Sequence, residues 1–279
     1  MFPEYCARNK RYERSIATPR CYHGAMEIPD SPCASRFIAS PNHEPRAGGI
    51  VDTIILHYTG MATADAARER LCDPDAKVSS HYFVDEDGAV TQLVAENRRA
   101  YHSGVSSWQN ETDINSRSIG IEIVNGGHDF GCPDFPARQI DAVIWLCKDI
   151  RTRWPIPHRN VLAHSDVAPS RKQDPGEKFP WAVLHAAGVG LWVEPAPMAE
   201  GAALRFGDTG DAVGQLQESL RQYGYGIGVT NIFDETTRDV VLAFQRHFRP
   251  QLVDGVADAS TRATLERLLD ARRVASDQA

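Results

Sequence analysis

VDTIILHYTG, residues 51–60, is the stretch on which the fold turns. Its density of β-branched residues, Val51, Thr53, Ile54 and Ile55, predicts a buried strand over 51–58. His57 stands near the end of that strand, just before Thr59-Gly60, and the ends of sheet strands are where a rigid scaffold holds ligands. A core histidine bonded to backbone is the other reading of that position.

Working outward, residues 63–72 (TADAARERLC) predict a short helix with Thr63 as N-cap. SSHYFVDEDGAVTQLVA (79–95) predicts a hairpin, because two strand-like runs flank a turn ending in Asp-Gly. Residues 97–117 are polar and aromatic and predict a long functional loop. SIGIEIV (118–124) predicts a second strand, with Ile119, Ile121 and Ile123 on one face and Gly120, Glu122 and Val124 on the other. Ile140, Val143, Ile144, Cys147 and Ile150 recur at helical spacing and predict an amphipathic helix over 136–153. A short strand follows at 160–163. The alternation implies an α/β fold with a mixed central sheet flanked by helices. Residues 1–45, rich in Pro, Arg, Cys and Ser and without sustained periodicity, predict an extended lead-in.

The bulk composition is that of a globular protein, 42% hydrophobic and 24% charged over 279 residues, long enough for one large domain and one small one. A formal net charge of −7 argues against a nucleic-acid-binding surface. No run approaches the roughly 20 apolar residues of a membrane span. The six cysteines include no CxxC pair and fit no zinc ribbon. Mostly free thiols are expected, with Cys72 and Cys147 as small apolar helix residues and a disulfide left open.

HSDVAPSRKQDPG, residues 164–176, brings His164, Lys172 and Asp174 within eleven positions, among prolines and a glycine that discourage a helix. In an extended segment Lys172 and Asp174, two apart, face the same side. His164 and Asp174 suit a divalent metal, zinc above all, and His57 is the strongest candidate for a third ligand. The competing reading is a polar loop with a Lys172–Asp174 salt bridge. Glu122, a carboxylate within an apolar strand, is expensive to bury unpaired and would have a raised pKa, unless it lies at an edge open to water. A metal, a base and a cation together suit hydrolysis of an amide or ester.

VDTIILHYTGM, SSHYFVDEDG, YHSGVSSW, INSRSIGIEIVNGG and HSDVAPSRKQDPG, in that order over residues 50–180, resemble the zinc-dependent N-acetylmuramoyl-L-alanine amidases of the type-2 family. That family also includes phage lysozyme-amidases and animal peptidoglycan recognition proteins. The resemblance implies one Zn2+ held at His57, His164 and Asp174, a catalytic carboxylate at Glu122 and a cation at Lys172. Ser80 and Asp174 match the bacterial anhydromuropeptide-type branch, where other branches carry Tyr and Cys. The implied reaction cuts the amide between N-acetylmuramic acid, or its 1,6-anhydro form, and L-alanine. Tyr58, His102, Trp108 and Asn125 are the expected substrate contacts, and His81 is expected to be structural. Two alternatives remain at this point, a catalytically silent peptidoglycan sensor of the same fold and hydrolysis of another amide.

Beyond a Pro/Ala-rich linker at 193–203, FDETTRDVVLAF (233–244) and ADASTRATLERL (257–268) repeat Asp, two residues and Thr-Arg before an apolar helical face. Asp234 and Asp258 are natural N-caps of a three-helix unit. It resembles the peptidoglycan-binding domain of wall hydrolases, although a helical cap that only stabilises the catalytic unit would look similar. The expected domains are a lead-in at 1–45, a catalytic domain at 46–192, the linker, a peptidoglycan-binding domain at 204–272 and a tail at 273–279. Peptidoglycan or muropeptides are thus the expected partners. The wall-binding module points to the periplasm or cell envelope. The N-terminus, MFPEYCARNKRYERS, has no apolar signal core and no apolar run before Cys6, which makes the cytoplasm the alternative.

Overall fold

The computed structural model describes residues 28–276, with side chains through residue 273. Cys6, Cys21, the first part of the lead-in and the end of the tail lie outside the described residues. Among the described residues there are eight strands: β1 (Ala34–Phe37), β2 (His43–Pro45), β3 (Thr53–Tyr58), β4 (Tyr82–Val84), β5 (Val90–Gln92), β6 (Arg98–Ala100), β7 (Ser118–Ile123) and β8 (Val161–Ala163). Six of them form a mixed sheet in the order β1-β5-β4-β7-β3-β8, and β2 pairs with β6 separately. Among these pairs β4–β5 is the expected antiparallel hairpin, while β7 lies parallel to both β3 and β4.

Helix α1 (Ala64–Cys72) begins at Thr63, whose side chain accepts the Ala66 N–H. Helix α3 (Ala137–Arg153) follows the short helix α2 (Ile114–Arg117) and β7. The alternation within the strands assigns the two sheet faces. Ile54, Leu56, Ile119, Ile121 and Ile123 form one core with Val143, Cys147 and Ile150 of α3. On the opposite face Phe83 and Val124 pack with Ala67 and Leu71 of α1. Also on that opposite face, Ile55 and Leu162 join a core built mainly from the last three long helices. Fully burying side chains of this size contributes about 1.5–3 kcal/mol each, so both faces are firmly specified.

Those helices are α6 (Asp211–Tyr223), α7 (Glu235–Phe248) and α8 (Ala259–Ser276); short helices α4 (His164–Val167) and α5 (Trp181–Ala186) precede them. Asp234 accepts the Thr237 N–H at 2.8 Å and Asp258 the Thr261 N–H at 2.7 Å, so both expected caps are made. The mixed sheet with flanking helices and the three-helix unit therefore agree with the expected fold class.

Four local expectations are corrected. Residues 34–37 and 43–45 are strands, since pairing with β5 and β6 supplies the hydrogen bonds their sequence pattern does not advertise. The 97–117 loop contains β6 and α2. Helix α8 continues past residue 272 to Ser276. His164 opens a helical turn, α4, at whose start the Ala163 N–H donates to Asp166 Oδ2 and the Ser165 N–H to the Asp174 carbonyl.

Candidate active site

His57 on β3 is the register partner of Glu122 on β7, so the parallel pairing sets the two side by side on the face opposite α3. His164 follows β8 directly, and β8 also pairs with β3. Beyond α4 the chain turns back on itself. The Arg171 and Lys172 N–H groups donate to Ala168 O, and the Ser165 N–H donates to Asp174 O at 3.0 Å. That last bond returns Asp174 to the side of His164. Residues 168–172 form a turn, and Lys172 and Gln173 belong to no regular secondary structure. Among the described residues Lys172 makes no ion pair with Asp174, which removes the salt-bridge reading of the loop.

The structure brings three buried donor atoms together. His57 Nδ1 lies 2.9 Å from His164 Nδ1 and 3.0 Å from Asp174 Oδ2, and His164 Nδ1 lies 2.9 Å from the same oxygen. Donors around a tetrahedral zinc at about 2.0–2.1 Å stand roughly 3.3 Å apart, so the triangle is close to that size. Proton positions follow from the surrounding bonds. Ser118 Oγ donates to Ile114 O at 2.6 Å and must therefore accept from His102 Nε2, 3.1 Å away. His102 Nδ1 is then an acceptor for His57 Nε2–H at 3.1 Å, which leaves a lone pair on His57 Nδ1. His164 Nε2–H likewise donates to Ser103 O at 3.1 Å, which leaves the lone pair on its Nδ1. Two lone pairs and a carboxylate oxygen thus converge, each imidazole steadied from behind, as in a metal site. This group can hold a metal ion.

Electrostatics agree with the geometry. Burial pushes the His57 pKa down to about 4, helped by His164, so the ring is neutral near pH 7. Burial alone would raise the Asp174 pKa, but the two histidines hold its carboxyl far below the ordinary range. Glu122 behaves oppositely. Burial and then Asp174 push its pKa well above the ordinary value, with Lys172 pulling against them. Its Oε2 is enclosed and has no hydrogen-bond partner, an unusual cost that a reacting group would relieve.

The four expected substrate contacts fare differently. His102 is buried behind His57, fixing its tautomer, and does not wall a groove. Trp108 is 3% exposed because its ring packs edge-on against Tyr223 at the end of α6 and Tyr225 just beyond it, so it is a packing residue. Asn125 spends its amide on the loop, accepting from Gly127 N and donating to Pro133 O. Tyr58 alone is half-exposed beside the site, its hydroxyl 3.0 Å from His128 Nδ1. His81 is structural as expected, accepting the Gly120 N–H and meeting Arg46 and the Arg98 carbonyl. A second trio with metal-binding donors, His128, Cys132 and Glu177, is already engaged, because Tyr58 and Glu177 occupy both His128 nitrogens.

The sequence profile of N-acetylmuramoyl-L-alanine amidases matches residues 47–177, and that of a peptidoglycan-binding domain matches residues 209–265. The chain is 39% identical over 234 residues to N-acetylmuramoyl-L-alanine amidase AmiD of Escherichia coli K12, covering 79% of this chain and 83% of AmiD. The chain belongs to the N-acetylmuramoyl-L-alanine amidase family. Two solved amidases share the fold over most of their length. E. coli AmiD in complex with anhydro-N-acetylmuramic acid-L-Ala-D-gamma-Glu-L-Lys superposes with a TM-score of 0.69 at 36% identity, covering 80% of this chain and 91% of that one. AmpDh3 of Pseudomonas aeruginosa in complex with anhydromuramic pentapeptide gives 0.66 at 32% identity, covering 81% and 93%.

In this amidase the residues that sequence reading passed over are Ser103, Ser118 and Asp166. All three lie within the stretches that carry the resemblance, but each bonds through a backbone group or a partner distant in sequence, which residue type alone does not reveal. His102, expected from YHSGVSSW to contact substrate, instead backs the His57 ring. No helix among the described residues is long and apolar enough to cross a membrane.

Proposed function

We propose that the chain hydrolyses the amide between the lactyl group of N-acetylmuramic acid, or its 1,6-anhydro form, and L-alanine in peptidoglycan or muropeptides. In this reading His57 Nδ1, His164 Nδ1 and a carboxylate oxygen of Asp174 hold one Zn2+ per chain. The observation that carries it is the convergence of those two lone pairs and that carboxylate beside the partnerless Oε2 of Glu122. Zinc bound there supplies Lewis-acid polarisation of the scissile carbonyl and a more acidic water.

Glu122 takes the proton of the attacking water and passes it to the departing L-alanine nitrogen, a task its raised pKa suits. Lys172 brings positive charge to the carbonyl oxygen as that oxygen becomes negative. His102 and the Ser103 carbonyl hold the two imidazoles in the tautomers that face the metal.

The catalytic domain is assigned to residues 46–192, the linker to 193–203 and the peptidoglycan-binding domain to 204–272. The two ligands seen in the AmiD and AmpDh3 complexes support a muropeptide substrate. The binding module supports work on wall material at the cell envelope, which fractionation of the native protein tests. Incubation with a purified anhydromuropeptide, followed by mass spectrometry, tests the reaction. Free anhydro sugar and a peptide starting at L-alanine are expected. Intact substrate, or a cut elsewhere in the stem, would overturn the assignment.

A further inference from the structure

Asp166 is fully buried and lies two residues after His164. Its Oδ2 accepts the Ala163 N–H at 2.8 Å, which ties down the junction of β8 and α4 from which His164 projects. The rest of this carboxylate is satisfied from the C-terminal unit. Tyr225 donates its hydroxyl to Oδ1 at 2.7 Å, and His247 Nδ1, itself buried, lies 2.6 Å from Oδ2. Farther along the same loop Arg246 donates to Gln173 Oε1 at 3.2 Å, beside Asp174. Helix α7 and the Tyr225 segment therefore grip the loop near both of its candidate ligands, whereas His57 is fixed separately by the sheet.

A buried carboxylate stripped of its donors is strongly unfavourable; it is relieved by taking up a proton, which weakens its hold on the Ala163 N–H, or by movement of the backbone that carries it. Here that backbone is the one that aims His164 and Asp174 at His57. We propose that the C-terminal unit is a positioning element of the metal site as well as a wall-binding module, with Tyr225 and His247 as positioning residues acting through Asp166. The inference rests on the reading of His57, His164 and Asp174 as the metal ligands.

The test uses the full, zinc-loaded chain and the variants Tyr225→Phe, His247→Leu, the double variant and His247→Asn. Zinc transfer to a chromophoric chelator is followed, together with kcat and KM on a soluble muropeptide and the far-UV circular dichroism. The double variant should release zinc about tenfold faster, at the lower end of what loss of a ligand-supporting partner does. Its kcat should fall with KM little changed. His247→Asn, whose amide N–H replaces the Nδ1 donor, should retain zinc better than His247→Leu, a difference that loss of packing alone would not produce.

A folded double variant with wild-type zinc release and kcat overturns the proposal. If the double variant does not fold, Tyr225→Phe, which removes a single hydroxyl, decides by the same two readouts. Wild-type protein that takes up no zinc overturns the metal assignment and this inference with it. Wild-type uptake with unchanged release in the variants overturns this inference alone.

Discussion

At the residue scale, the site is defined by where protons are absent. Ser118 has one hydroxyl proton and spends it on Ile114, and that choice propagates through His102 to leave His57 Nδ1 bare. Glu122 faces the same centre with an unpartnered oxygen and a raised pKa. Glu122→Gln keeps shape and removes the base, so kcat should fall by about 10²–10⁴-fold while zinc content stays at wild type. Turnover near wild type would take Glu122 out of that role. Histidines also set the acid stability of the metal-free chain. Burial, with the Arg46 charge, pushes the His81 pKa down to about 3, and burial pushes His57 to about 4. The unfolded chain protonates its histidines near pH 6.5 and so binds more protons than the folded chain below that pH. Stability is then lost as pH falls from about 6.5 toward the folded values, by up to about 1.4 kcal/mol per pH unit for each histidine. Urea unfolding of chelator-treated protein from about pH 7 down to about pH 5 measures it, and an unchanged midpoint would contradict the two assignments.

At the element scale, β7 does two jobs by alternation. Its isoleucines bury against α3, while Gly120 and Glu122 face the site. Gly120 is required there because an added Cβ would stand 2.5 Å from His102 Cγ. Gly120→Ala should therefore displace His102 and lower zinc affinity about 10–100-fold, as loss of a ligand's supporting bond does; a zinc titration by calorimetry reads this. Much of this layer was legible in sequence. β-Branched density marked β3, Asp-Gly marked the hairpin, the isoleucine alternation predicted both faces of β7, and Asp234 and Asp258 marked two helix starts. The metal loop was legible in its residue types but not in its shape, because the Ser165–Asp174 bond and the Asp166 contacts turn it in ways no local pattern encodes. Strands β1 and β2 escaped for the same reason, since short edge segments owe their form to partners more than 50 residues away.

At the scale of the whole molecule, the two units share a core. Ile55, Trp108, Leu162 and Val167 pack in one cluster with the apolar faces of α6, α7 and α8. The packing role of Trp108 is not legible in sequence because its partners, Tyr223 and Tyr225, lie over a hundred positions downstream. Thermal unfolding should be one transition by circular dichroism and by tryptophan fluorescence alike. Trp108→Ala should lower that single transition, costing about 3–5 kcal/mol, without splitting it. Two separate transitions in the wild-type chain would mean that the shared core does not couple the units. The central claim is that amide cleavage depends on one zinc at His57, His164 and Asp174. It is tested most directly by turnover of a soluble anhydromuropeptide as metal-free chain is titrated with zinc. Activity should rise from none and saturate at one zinc per chain, and His164→Ala should stay inactive throughout. Full activity in chain shown to carry no metal would contradict it.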